Sequence, residues 1–354
     1  VSFPGGRVLA ALVLTGVTRL AVAASPEPKT ANTAPEALRL GLEAEARGEL
    51  GAARSAYARA LSLDPSHGRA LINLGLLEIR AGKLAEGLGR CTRAVEVDPK
   101  AALAHYCLGV GAVRAGREAD GVASFERALA LMPSLASAHA ELGHLHRRAE
   151  RFDEALARYR EALRLDADDA DLHVQLGYCL RQLGDVEAAR AAYATAVDKD
   201  PSSYFGHLNL GWALVRLSRD AEAEPHYAKA AELRPSESDP HYNLGNLHRR
   251  RGDLERARAS YARALELAPE RAELRVDLAR VAWSLGDVDA AKRELDLADA
   301  AKLDAKARDD AAKVRALLSR PPPRRFTPRT TKTSTAGPRS PAEVRKPGER
   351  APPR

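Results

Sequence analysis

Apolar and small residues return along this chain at a fixed interval of thirty-four. Eight units fit that interval with no insertion or deletion, starting at residues 34, 68, 102, 136, 170, 204, 238 and 272. A pattern that recurs at a constant period is architecture before it is anything else. Position 7 of every unit is leucine, from Leu40 to Leu278, and position 8 is glycine in seven, from Gly41 to Gly245, with Ala279 in the last. Position 20 is always small (Ala53, Gly87, Gly121, Ala155, Ala189, Ala223, Ala257, Ala291), and position 27 is always alanine, from Ala60 to Ala298. Position 24 is aromatic in six units, Cys91 and Leu295 departing.

Small residues at 8, 20 and 27 let two helices approach closely, and the large residues at 7 and 24 fill the space between them. Glycine at position 15 (Gly48, Gly82, Gly116, Gly184, Gly252, Gly286) predicts the end of a first helix, because glycine enters a left-handed cap without steric cost. Proline at position 32 in six units, with Ala167 and Leu303 the exceptions, predicts the end of a second. Each unit therefore reads as helix–turn–helix with one face left apolar, which stacking against a neighbour covers. No alternating run of β-branched residues signals a strand. The stretch "AKARDDAAKVRALLSR" (305–320) reads as one more amphipathic helix closing the stack, with Ala312, Leu317 and Leu318 on its buried side.

Composition fits: 45% of residues are hydrophobic and only 5% aromatic, so alanine and leucine carry the core. The net charge of +7 is a property of the tail. From Arg320 to Arg354 ten Lys/Arg face two acids, giving +8 and leaving the remainder at −1. Proline and charge dominate 321–354, and that composition predicts a disordered segment. Three cysteines (Cys91, Cys107, Cys179) form neither an even framework nor a C-x-x-C pair, so no disulfide is expected.

The L-G…A…Y…A…P pattern at thirty-four residues resembles the tetratricopeptide repeat over residues 34–305. The resemblance implies an all-α, right-handed α-solenoid of eight repeats (34–67, 68–101, 102–135, 136–169, 170–203, 204–237, 238–271, 272–305), with 306–320 as a capping helix. "HLNLGWAL" and "HYNLGNLH" are most similar to repeats of the superhelix that precedes the catalytic domain of O-linked N-acetylglucosamine transferases. Only 49 residues follow the eighth unit here, so the resemblance implies the scaffold without the chemistry.

Residues 1–24 read as an export signal: Arg7, then "VLAALVLTGVT", then the small-residue pattern "AVA" at 21–23, with 25–33 as a linker. An uncleaved anchor and a miscalled start are the alternatives, since Arg19 interrupts the apolar run and residue 1 is valine. The first two place the protein outside the cytoplasm, periplasmic, secreted or membrane-anchored in a bacterium. The third leaves it cytoplasmic.

Histidine fills position 4 in five consecutive units (His105, His139, His173, His207, His241). One histidine per repeat is too widely spaced to share an ion at bond lengths of about 2 Å, so this row reads as packing rather than metal. "DADDAD" (166–171) lacks a calcium loop's glycine and glutamate, and "GVGAVRAG" (109–116) has no preceding strand. No catalytic constellation, metal site or cofactor is expected.

In the family, positions 2, 5, 6, 9, 12 and 13 of the first helix face the groove where partner segments lie. There this chain places Arg80, Arg114, Arg148, Arg216 and Arg250 at position 13, Arg147, Arg181 and Arg249 at position 12, and Tyr178, Trp212 and Asn246 at position 9. Position 6 carries Asn73, Gln175, Asn209 and Asn243, and position 5 Tyr106 and Tyr242. Arginine grips carboxylates in bidentate fashion, but cations also sit well at a helix C-terminus, so both readings of the row stand. The asparagines resemble the transferases' ladder, broken here by Cys107, Glu141 and Asp277. The carboxylate clamp of chaperone cochaperones is represented only by Asn209 followed by Arg250. The expectation is a non-enzymatic scaffold that holds an extended, acidic segment of a protein partner in the groove, in the assembly of an envelope complex. One rival has the basic tail engaging an anionic membrane surface, or nucleic acid, which an exported protein rarely meets. Another is an adaptor subunit for a separately encoded glycosyltransferase or kinase.

Overall fold

The computed structural model describes residues 31–300 and 303–320; the expected export signal and the basic tail lie outside the described residues. Among the described residues there are seventeen α-helices and no strand. They run in pairs: α1 (Ala34–Ala46) with α2 (Leu50–Leu63), α3 (Gly68–Arg80) with α4 (Leu84–Val97), and α5 (Ala102–Arg114) with α6 (Glu118–Leu131). Next come α7 (Ala136–Arg148) with α8 (Phe152–Leu165), and α9 (Ala170–Gln182) with α10 (Val186–Lys199). The series continues through α11 (Tyr204–Arg216) with α12 (Asp220–Leu233) and α13 (Asp239–Arg251) with α14 (Leu254–Leu267). Then follow α15 (Ala272–Ser284), α16 (Val288–Ala300) and α17 (Ala305–Leu318). The chain divides into two compact units, one ending at Leu274 and the other beginning at Arg275.

In the first unit each pair packs as an antiparallel hairpin, and each second helix also packs on the first helix of the next pair, the arrangement of an α-solenoid. The seam within each hairpin explains two of the periodic positions. The aromatic at position 24 is buried throughout (Tyr57, Phe125, Tyr159, Tyr193, Tyr227, Tyr261) and its ring packs directly against the glycine at position 8 of its own repeat. A Cβ on Gly41, Gly109, Gly143, Gly177, Gly211 or Gly245 would lie 2.3–2.7 Å from a ring carbon. Glycine is there because the ring occupies the space of a side chain.

Turns between paired helices require a left-handed residue at position 15. Six are glycines with φ between 75° and 86°, but Glu150 (φ 57°) and Ser218 (φ 60°) adopt the same conformation without glycine. Second helices end at a residue in extended conformation, such as Asp64 (φ −141°, ψ 98°) ahead of Pro65. Asp166 does the same (φ −140°, ψ 95°) although Ala167 stands where proline would be. The fold imposes both turns, and glycine and proline only favour them.

Two expectations are corrected. Cys91 and Cys107 are joined in a disulfide, with Cα atoms 5.5 Å apart. Cys91 takes the position-24 slot that a ring fills elsewhere, and Cys107 enters from position 6 of the next repeat. Linear spacing conceals that meeting. Cys179 stays a free, buried thiol, and burial pushes its pKa up to about 12.

In the second unit, α17 buries Ala307, Ala311 and Val314, while Ala312 is exposed and Leu317 only half-buried. Ala311 and Val314 join a core with Val276, Ala279, Ala282, Ala291, Leu295 and Ala298, and Leu318 packs at its edge. The buried face is rotated by one residue from the one expected, because Ala311 and Val314 are the i, i+3 pair that meets this core.

Candidate functional site

Several first helices of neighbouring repeats touch one another (α3 with α5, α9 with α11, α11 with α13), and α7 reaches α9 through Arg147 and Tyr178. Four of the five histidines at position 4 are fixed by bonds to backbone carbonyls. Nε2 of His105, His139, His173 and His207 lies 3.0–3.3 Å from the carbonyl oxygen of Pro99, Pro133, Ala167 and Pro201, the position-32 residue of the preceding repeat. To make that bond the imidazole carries its proton on Nε2, and each histidine ties one repeat to the next. Among the described residues no group of three or more His, Cys, Asp or Glu could hold a metal ion.

The candidate arginines divide by what they meet in the adjoining repeat. Arg147 lies over the Tyr178 ring at 5.5 Å, and Arg181 lies over the Trp212 ring at 4.0 Å. In both, position 12 of one repeat stacks on position 9 of the next. Tyr178 also takes the edge of Phe152, with ring centroids 6.3 Å apart. The expected exposed aromatics are thus half-buried beneath guanidinium groups, and Tyr106 is fully buried against Phe125.

Position 13 follows a second rule. Arg148 forms an ion pair with Glu118, and Arg250 one with Asp220 at 3.4 Å; in both the acid is at position 17 of the preceding repeat. Arg250 also donates to the Val215 carbonyl at 3.3 Å. Leu84 and Val186 occupy position 17 ahead of Arg114 and Arg216, and among the described residues no ion pair or hydrogen bond holds either exposed side chain. Arg114 instead directs its charge at Glu141.

Repeat seven is organised around its own Tyr261. The phenol donates to Asn246 Oδ1 at 2.8 Å and accepts from Arg249 Nε at 3.2 Å. The Tyr242 and Tyr261 ring centroids lie 6.0 Å apart, and Arg271 lies over the Tyr242 ring at 5.1 Å. Asn209 is buried, and its amide donates to the Phe205 carbonyl of its own helix at 2.8 Å, so it is not offered to a partner. Asn243 is half-buried on the same row.

Two more residues of the position-6 row, and one at position 9, have environments that the sequence did not reveal. Glu141 and Gln175 occupy position 6 of repeats four and five, and Gln175 Oε1 is buried with no hydrogen-bond partner. Burial raises the Glu141 carboxyl to about pH 7, Arg114 opposing the shift. His144 bonds through Nδ1 to the Tyr159 hydroxyl at 2.8 Å, and burial, reinforced by Arg147, lowers it to about 4, so it is neutral at physiological pH. Gln175 belongs to the amide row read from the sequence and Glu141 interrupts it, while His144 at position 9 carries no sequence signal beyond its place in the row.

Comparison with known proteins agrees with this geometry. Profiles described as "Tetratricopeptide repeat" match residues 38–90, 80–136, 140–204, 188–238 and 238–271, well over half of the chain. The protein belongs to the tetratricopeptide-repeat family. No curated protein matches the chain. Similar solved structures include one from "Functional Characterization of Pseudomonas Aeruginosa pilF" (20% identity, 58% of this chain and 93% of that one, TM-score 0.53). A "Crystal structure of APC/C hetero-tetramer Cut9-Hcn1" aligns with 78% of this chain and 55% of that one at 17% identity and TM-score 0.55. The C-terminal part of a repeat-containing protein from Cytophaga hutchinsonii aligns with 68% and 99% at 13% identity and TM-score 0.51. At these identities the likeness is one of fold. Tetratricopeptide repeats generally act as non-catalytic scaffolds for protein–protein interaction.

Proposed function

We propose that this protein is a non-enzymatic scaffold whose first-helix face, from repeat three to repeat seven, holds an extended segment of a protein partner in the assembly of an envelope complex. The observation that carries the reading is the pair of stacks Arg147–Tyr178 and Arg181–Trp212, set one repeat apart. Arginine and large aromatics dominate binding energy at interfaces, and stacking holds these four side chains in one arrangement before a partner arrives. Arg114 and Arg216 flank the stacks and suit carboxylates of the partner. Placement outside the cytoplasm is supported by the apolar N-terminal segment and by the Cys91–Cys107 bond, since disulfides persist in oxidising compartments.

The test is a cross-linked pull-down from extract of the source cells with the wild-type chain, a Trp212→Ala, Arg216→Glu double variant, and a control Arg263→Glu on the exposed side of a second helix. Prey retained by the control and lost with the double variant is the expected result. Prey bound equally by all three would overturn the reading.

A further inference from the structure

The position-24 tyrosine carries its hydroxyl across the hairpin to positions 9 and 12 of its own first helix. Tyr57 donates to Glu45 at 2.8 Å, and Tyr159 meets His144 Nδ1 at 2.8 Å. Tyr261 meets Asn246 at 2.8 Å and Arg249 at 3.2 Å. Repeat three has valine at both positions, Val110 and Val113, and there position 24 is Phe125, with no hydroxyl to satisfy. Repeat five departs from this rule. Its Tyr193 is wholly buried, and among the described residues the hydroxyl has no hydrogen-bond partner. Tyr178 and Arg181, at positions 9 and 12 of that repeat, are engaged with neighbouring repeats instead, the one under Arg147 and the other over Trp212. A buried hydroxyl without a partner is costly, and phenylalanine fills the same slot in repeat three without that cost. Native structures keep such a group where something else completes it.

We propose that the Tyr193 hydroxyl is a specificity-determining donor of the groove, which together with the Arg181 guanidinium receives one carboxylate of the partner segment at repeat five. This rests on the groove reading and gives the partner's acidic side chain a place. The phenolic proton is the unspent donor, so the atom that meets it is an acceptor. Stacking on Trp212 engages only the face of the guanidinium, whose N–H donors lie in its plane. Among the described residues Arg181 has no hydrogen bond or ion pair, and its charge is directed at the Tyr193 hydroxyl. A carboxylate accepts from both groups and neutralises the cation, whereas an amide carbonyl would take the phenol and leave the charge uncompensated. The hydroxyl is closed to water in the free protein. The carboxylate therefore enters between Tyr178 and Arg181, whose counterparts reach this hydroxyl in the other repeats.

The probe is an oriented library of capped dodecapeptides, selected in parallel on the full-length chain and on its Tyr193→Phe variant, which keeps the ring and removes only the hydroxyl. The wild type should enrich Asp or Glu at one position, and Tyr193→Phe should lose that preference. The best wild-type peptide should bind Tyr193→Phe about tenfold more weakly or worse. Replacing its acidic residue with alanine should weaken wild-type binding by at least as much, and that peptide should bind both proteins alike. Urea unfolding without peptide separates this role from a structural one. Tyr193→Phe should be at least as stable as the wild type, whereas Tyr261→Phe, whose hydroxyl holds Asn246 and Arg249, should be less stable. Three results overturn this inference and leave the groove reading standing: a consensus with no acidic position, an acidic preference that survives in Tyr193→Phe, or a loss of stability in Tyr193→Phe equal to that in Tyr261→Phe. No enrichment of any residue overturns both.

Discussion

Glu141 permits a quantitative test that needs no partner. Its carboxyl titrates near 7 against an ordinary 4.5, chiefly because burial disfavours the charge. The folded chain therefore holds this proton over a pH range in which the unfolded chain has lost it. By linkage, the carboxyl costs nothing below about pH 4.5, costs progressively more as pH rises through the folded value, and reaches a plateau above it. The full gap is worth about 3 kcal/mol at 1.36 kcal/mol per pH unit. The side chain keeps some contact with solvent, so about 1–2 kcal/mol is the realistic plateau. Glutamine has the same shape and no charge. Glu141→Gln should leave stability unchanged at pH 4.5 and raise it by about 1–2 kcal/mol at pH 8. Because a repeat array opens locally, native-state hydrogen exchange of α7 is the appropriate assay, with urea unfolding beside it. A gain of equal size at both pH values would refute the reasoning, since a difference independent of pH cannot come from titration. So would a loss at pH 8, which would mean that Arg114 stabilises the carboxylate more than burial penalises it.

Three further outcomes follow from the packing. Gly177→Ala would place a Cβ 2.6 Å from Tyr193 Cε1 and should destabilise the fifth repeat by about 2–4 kcal/mol, read by urea unfolding; Gly184→Ala, at φ 86°, should act through backbone strain instead and cost about 1 kcal/mol. Ser218→Gly relieves a left-handed serine and should stabilise by about 1 kcal/mol in the same assay, with Glu150→Gly behaving alike. Reduction with dithiothreitol removes the link across sixteen residues between α4 and α5 and should destabilise repeats two and three by about 2–3 kcal/mol, seen as faster exchange confined to those helices; a Cys107→Ser variant should show no response to the reductant.

The scaffold was legible because its determinants are periodic and local. The glycine at 8, the ring at 24 and the alanine at 27 report one contact repeated, so each unit corroborates the others. What escaped depends on pairs whose members are far apart in sequence. Cys91 meets Cys107 only because Cys91 stands in a slot built for a ring. Ala312 was placed on the wrong side of α17 because one helix alone does not reveal which of its adjacent small residues faces its neighbours. The groove row was read one residue at a time, as if each side chain awaited a partner, and Asn209 and Asn246 turned out to be satisfied within the protein.

Most of that error obeys a register rule that sequence can supply once the stacking is known. An arginine at position 13 is taken when the preceding repeat has an acid at position 17, as with Arg148 and Glu118 or Arg250 and Asp220. Where that position is apolar, Arg114 and Arg216 go without an ion pair among the described residues, whereas Arg80, preceded by Leu50, pairs with Glu45 of the preceding repeat at 3.6 Å. An arginine at position 12 is stacked when the following repeat has an aromatic at position 9, as with Arg147 on Tyr178 and Arg181 on Trp212. Charge on a solenoid's inner face is thus set by pairs across the repeat boundary rather than by a count along the row.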